Sequence, residues 1–120
     1  MRLSTKLAGV CLPFAFGLAT SAAAFTACQV TDTGGIDDNS FNQTAWQGVL
    51  NAQAELGIEG RFLESQAETD YEANLNSLIG EQCDIIFTIG FLLGDATRTA
   101  AEANPEQLFS IVDFAYDPPL

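Results

Sequence analysis

Val30-Thr31-Asp32-Thr33-Gly34-Gly35-Ile36-Asp37-Asp38-Asn39-Ser40-Phe41-Asn42-Gln43 is the stretch that decides the fold. Behind it, Thr26 to Thr31 is a short apolar-rich run, and Asp32 with Thr33-Gly34-Gly35 supplies a turn, so the pair reads as a buried strand opening into a loop. Asp37, Asp38, Asn39 and Ser40 then offer N-caps for a helix from about Phe41 to Leu56. Phe41, Ala45, Val49, Ala52 and Leu56 fall on one stripe of that helix, and Gly57 is its stop. Strand, turn and helix follow one another within about thirty residues, the size of one crossover unit.

The same order recurs downstream. Arg61 to Ser65 predicts a second strand, and Tyr71 to Ile79 a second helix, capped by Thr69 or Asp70 and ended by Gly80. Cys83 to Ile89 is a β-branched run closed by Gly90, apolar on both faces as parallel strands are. Asp95 to Ala103 reads as an alanine-rich helix broken by Pro105, and Leu108 to Phe114 as a fourth strand. Strands alternating with helices call for a parallel sheet with right-handed crossovers, a doubly wound α/β layer. Pro118-Pro119-Leu120 follows the fourth strand directly, which predicts the opening part of a larger α/β domain.

Residues 1–24 read as an export signal: Arg2 and Lys6, an apolar run from Leu7 to Ala19, then Ala22-x-Ala24 as a small-residue cleavage site. That run is shorter than the roughly 20 residues a transmembrane anchor requires. Cys11 leaves with the signal, so the exported part, 25–120, holds Cys28 and Cys83. In an oxidising compartment such an isolated pair is expected to be bridged; the alternative makes Cys28 a lipidated N-terminus.

Of 4 Lys and Arg against 16 Asp and Glu, only Arg61 and Arg98 lie outside the signal. A surface so acidic repels phosphate backbones and anionic headgroups, which excludes nucleic acid as a partner. With no His and one exported Cys pair, imidazole and thiolate chemistry lack material, and no metal or cofactor is implied.

In an open α/β sheet, ligands bind beyond the carboxyl ends of the strands. The first strand delivers Asp32 to that rim, the third Gly90 and Phe91, and the fourth Asp113, while Phe41 and Asn42 open the first helix just above. The loop lacks G-x-G-x-x-G spacing and the P-loop lysine, and its carboxylates oppose a pyrophosphate. Ionised Asp only accepts hydrogen bonds, so an uncharged ligand carrying several hydroxyl or N–H donors suits the rim. Asp37 and Asp38 have the simpler role of helix caps and dipole partners.

The long stretch from Val30 to Gln43, with Trp46 and Gly48 following, resembles the basic membrane protein family, the purine-nucleoside-receptor-like substrate-binding components of bacterial ABC importers. Cys83-Asp84-Ile85-Ile86 leading to Gly90-Phe91, Ala101-Glu102-Ala103-Asn104-Pro105 and Ile111-Val112-Asp113 agree, so the likeness runs from about 28 to 114. It implies a type I periplasmic-binding-protein-like fold whose two lobes trap a nucleoside, with 25–120 as part of the N-terminal lobe. It also implies that Asp32 and Asn42 hydrogen-bond the base, that Phe41 forms one wall of an aromatic sandwich, and that Asp113 binds ribose hydroxyls. By location Gly90 and Phe91 lie against the ligand. A membrane permease of an ABC transporter is the implied partner, and the implied place is outside the cytoplasm, at the plasma membrane. The alternatives are a metal-assisted nucleoside hydrolase-like enzyme, which an Asp-rich strand-end loop superficially fits, and a non-functional truncated product.

Overall fold

The computed structural model describes residues 22–119, and the charged start and apolar run of the export-signal reading lie outside them. Seven elements alternate as anticipated: β1 (Thr26–Val30), α1 (Phe41–Leu56), β2 (Glu59–Leu63), α2 (Tyr71–Gly80), β3 (Ile85–Ile89), α3 (Gly94–Ala103) and β4 (Leu108–Val112). The four strands form one parallel sheet in the order β2-β1-β3-β4. No described helix is long and apolar enough to cross a membrane.

The order follows from connection handedness. Right-handed crossovers send the chain one way from β1 to β2 and back the other way to β3 and β4, so α1 packs on one face and α2 and α3 on the other. The reversal puts a switch point between β1 and β3. Cys28, Val30 and Ile86 meet Tyr71, Leu75 and Leu78 of α2 and Ala96 and Ala100 of α3, which together form the core. Cys28 and Cys83 are joined by a disulfide with Cα atoms 6.1 Å apart, stapling the centre of β1 to the approach to β3.

Cys28 is fully buried in the middle of β1 with its sulfur bonded to Cys83, the arrangement of the bridged reading.

Other boundaries move for identifiable reasons. β2 lies two residues earlier than expected because its ladder runs from Thr26↔Glu59 to Val30↔Leu63 and ends where β1 ends. It accepts Gly60 because Val49 and Trp46 press on it: a Cβ there would meet Val49 Cγ1 at 2.8 Å. β4 stops at Val112 since Asp113 turns to φ 67°. Gly80 is the last helical residue of α2 rather than its stop, and Gln82 takes the left-handed turn at φ 60°. Asp70 does not cap α2; its carboxylate accepts the N–H groups of Gln66 and Ala67 and closes the short 3-10 turn Glu68–Asp70 ahead of it.

The expected stripe of α1 is only partly used. Val49 is buried and Ala45 and Ala52 half-buried, but Phe41 and Leu56 are exposed. α1 lies beside a wholly apolar groove of about 460 Å3, floored by Ala27, Ile85, Phe87 and Ile89.

Candidate functional site

Asp32 is the first residue of the rim beyond the end of β1, and the local sequence holds it in place. Its Oδ1 accepts two bonds, from the Gly34 N–H at 2.9 Å and from Asn42 Nδ2 at 2.7 Å. The first closes a turn that only a small residue fits, since a Cβ on Gly34 would lie 3.0 Å from that oxygen. The second ties the loop to the first turn of α1. Oδ2 takes part in neither bond and faces Gly90, where a Cβ would stand 2.7 Å away. Gly90 also has φ 103°, a conformation that side chains disfavour, so glycine is required there twice over.

From Gly90 the circuit closes. Its N–H donates to Val112 O at 3.1 Å, and Val112 shares a groove of about 430 Å3 with Ser40, Phe41, Thr44 and Ala45. Phe41 is followed by Asn42, which returns to Asp32. Phe41 at 54% exposure and Phe91 at 60% present their rings to solvent. Asp113, exposed and left-handed, leaves the end of β4 beside Val112.

Of the six residues expected at the rim, Asp32, Gly90 and Asn42 are thus linked through named contacts, Phe41 adjoins Asn42 in the chain and shares a groove with Val112, and Phe91 and Asp113 sit at the adjoining strand ends. Asn42 differs from the expectation of simple ligand contact. It is only 1% exposed, with its Nδ2 committed to Asp32 and, at 3.0 Å, to Asp38 Oδ2. Its Oδ1 is buried without a partner, the one acceptor it has left. Gly90 is buried as well, so its direct neighbour is Asp32.

Asp38, not Ser40, caps α1. Its carboxylate accepts the N–H groups of Ser40 at 2.8 Å, Gln43 at 3.0 Å and Asn42 at 3.1 Å. Burial pushes its carboxyl upward, but the donors of Gln43, Ser40 and Asn42 outweigh this and hold it below the ordinary value of 3.8.

Three supporting residues escaped the sequence reading. Tyr71 is buried under the loop; burial, with the charges of Asp32 and Glu68 adding to it, raises its hydroxyl above the usual range and keeps it protonated. Tyr116 donates to Gly94 O at 2.8 Å, stacks edge-on with Phe114 and lies under the Arg98 guanidinium, pinning the segment after Asp113 to the start of α3. Glu64 accepts from the Ile36 N–H at 2.7 Å. Aromatic residues after a strand and a Glu after an edge strand carry no periodic signal that distinguishes them from surface residues.

Residues 25–118 match the family described as ABC transporter substrate-binding protein PnrA-like. The chain belongs to this family. A CD4+ T-cell-stimulating antigen of Listeria monocytogenes is 42% identical over 98 residues, which cover 78% of this chain and 28% of that protein. The ABC transporter nucleoside-binding protein BmpA of Lactococcus lactis is 40% identical over 88 residues, 70% of this chain and 25% of that protein. An ABC transporter system solute-binding protein of Aeropyrum pernix superposes with a TM-score of 0.70 at 30% identity, over 76% of this chain and 25% of the other. The chain therefore spans about a quarter of the length of the curated relatives it matches. The family is one of substrate-binding components of ABC transporters, with an α/β fold of the periplasmic-binding-protein kind. The metal-assisted alternative gains no support: among the described residues no three Cys, Asp or Glu side chains are grouped to hold a metal ion.

Proposed function

We propose that this chain forms part of the N-terminal lobe of an exported solute-binding protein that takes up a neutral purine nucleoside, such as inosine or guanosine, and delivers it unchanged to an ABC permease. The observation that carries this reading is the hydrogen bond from Asn42 Nδ2 to Asp32 Oδ1, which ties a carboxylate oriented by two donors to the first turn of α1, where Phe41, the residue before Asn42, is exposed. A purine base offers N–H donors at its edge and a flat π-face, which are the complements of these two groups. Asp113 at the neighbouring strand end supplies acceptors for ribose hydroxyls. Gly90 and Phe91 complete the rim, and Asn42 acts first by holding Asp32.

Among the described residues the two arginines lie elsewhere, Arg61 with Glu59 and Glu81 and Arg98 over Tyr116, which supports an uncharged ligand over a nucleotide. The name of the Lactococcus lactis relative, a nucleoside-binding protein, supports the same ligand class. Stacking on one ring contributes about 1 to 3 kcal/mol per base, so a single wall by itself gives only weak affinity, with Kd from several millimolar upward, and a second lobe would complete the sandwich. The reading of residues 1–24 as an export signal, together with the disulfide, supports a place outside the cytoplasm.

Incubation of the chain with inosine, followed by chromatography of the solute, tests this role. Recovery of intact nucleoside, together with competition by guanosine, agrees with a binding protein. Release of free base, or equal competition by a plain sugar, contradicts the reading.

A further inference from the structure

We propose that Glu64 is a positioning residue that sets the loop joining Asp32 to Phe41, acting as a hydrogen-bond acceptor and not through its charge. This deepens the reading above, on which its consequence for a ligand rests. Glu64 leaves the end of β2, crosses to the loop after β1, and accepts the Ile36 N–H on Oε1 at 2.7 Å. The loop is shaped to pass beneath it. Gly35 stands at φ 75°, and a Cβ there would come within 3.1 Å of the same Oε1.

The backbone that carries Glu64 is itself braced. Asn74 Nδ2 donates to Glu64 O at 3.2 Å and to Ser65 Oγ at 3.0 Å, the Ser65 N–H donates to Thr31 Oγ1 at 3.3 Å, and the Thr31 N–H to Leu63 O at 3.1 Å. The two loops are thus tied at Thr31 before Asp32 and at Ile36 after it. Electrostatics alone would keep a fourth carboxylate away from a loop that already holds Asp32, Asp37 and Asp38, so the hydrogen bond explains its place. Glutamine retains the accepting oxygen, and alanine removes it.

Amide hydrogen exchange by NMR on the chain, as wild type, Glu64→Ala and Glu64→Gln, is the test. Loss of a hydrogen bond of ordinary, uncharged strength speeds local opening by about two- to ten-fold. The expected result is Ile36 exchange about two- to ten-fold faster in E64A, largely restored in E64Q, with Ile86 and Ile89 in β3 unchanged. Inosine-induced shifts at the Asp32 and Phe41 amides should weaken in E64A and persist in E64Q. Wild-type exchange at Ile36 in E64A, or E64Q as labile as E64A, overturns the assignment. If inosine shifts no amide even in the wild type, the nucleoside reading fails, while the Ile36 exchange still decides the role of Glu64.

Discussion

Asn42 Nδ2 lies 2.7 Å from Asp32 Oδ1, so the second residue of α1 holds the second residue beyond β1 across the opening of the sheet. The bond converts two sequence-distant features, a strand end and a helix start, into one rigid edge. Asn42 is buried and serves Asp38 with the same nitrogen, so its removal leaves two carboxylates short of a donor. Asn42→Ala should destabilise the chain by about 1 to 3 kcal/mol, read as a lower urea midpoint, and should loosen Asp32. An unchanged midpoint would show that the bond is dispensable.

The cap at Asp38 gives stability a defined acid limit. Its carboxyl is held low in the folded chain, so the folded state binds fewer protons than the unfolded state near the ordinary value of 3.8. The stabilisation is complete above that value and is lost as pH falls through the lower, folded one. Asp38→Ala should cost about 1 kcal/mol at neutral pH, and the gap between variant and wild type should narrow below about pH 4. Urea midpoints measured from neutral pH to about pH 2 check both parts.

Gly90 permits Asp32 its place. Gly90→Ala adds a methyl group 2.7 Å from Asp32 Oδ2 at a φ of 103° and must displace that carboxylate. The expected outcome is a loss of about 1 to 3 kcal/mol by thermal denaturation, accompanied by loss of any ligand response at Asp32.

The Cys28–Cys83 bridge closes a sequence separation of 55 residues, and in the loop-entropy model it stabilises the fold by about 4 kcal/mol. Mass spectrometry of the exported protein should find no free thiol on either residue, and reduction should lower the melting temperature. Two free thiols in the native protein would contradict the structure.

The alternation of elements was legible because parallel strands leave long apolar runs, as in Ile85 to Ile89, and because Gly57 stops α1 where a left-handed residue is needed. α1 was read with its observed bounds for that reason. Edges were harder. β2 is an edge strand with only half-buried residues at best, so its ends are set by the ladder to β1, which composition does not show. At the rim, the strand ends were read from chain order alone. Neither the burial of Asn42 nor the reach of Glu64 could be, since both depend on loops that meet only after folding.

Titration of the labelled chain with millimolar inosine, followed by NMR, tests the central claim most directly. Asp32 and Phe41 should act on one ligand from one edge. The account predicts shifts concentrated at the amides of Asp32, Phe41, Gly90 and Phe91, lost in folded Asp32→Ala and Phe41→Ala variants. Shifts that leave these residues untouched, or that survive both substitutions, would contradict it.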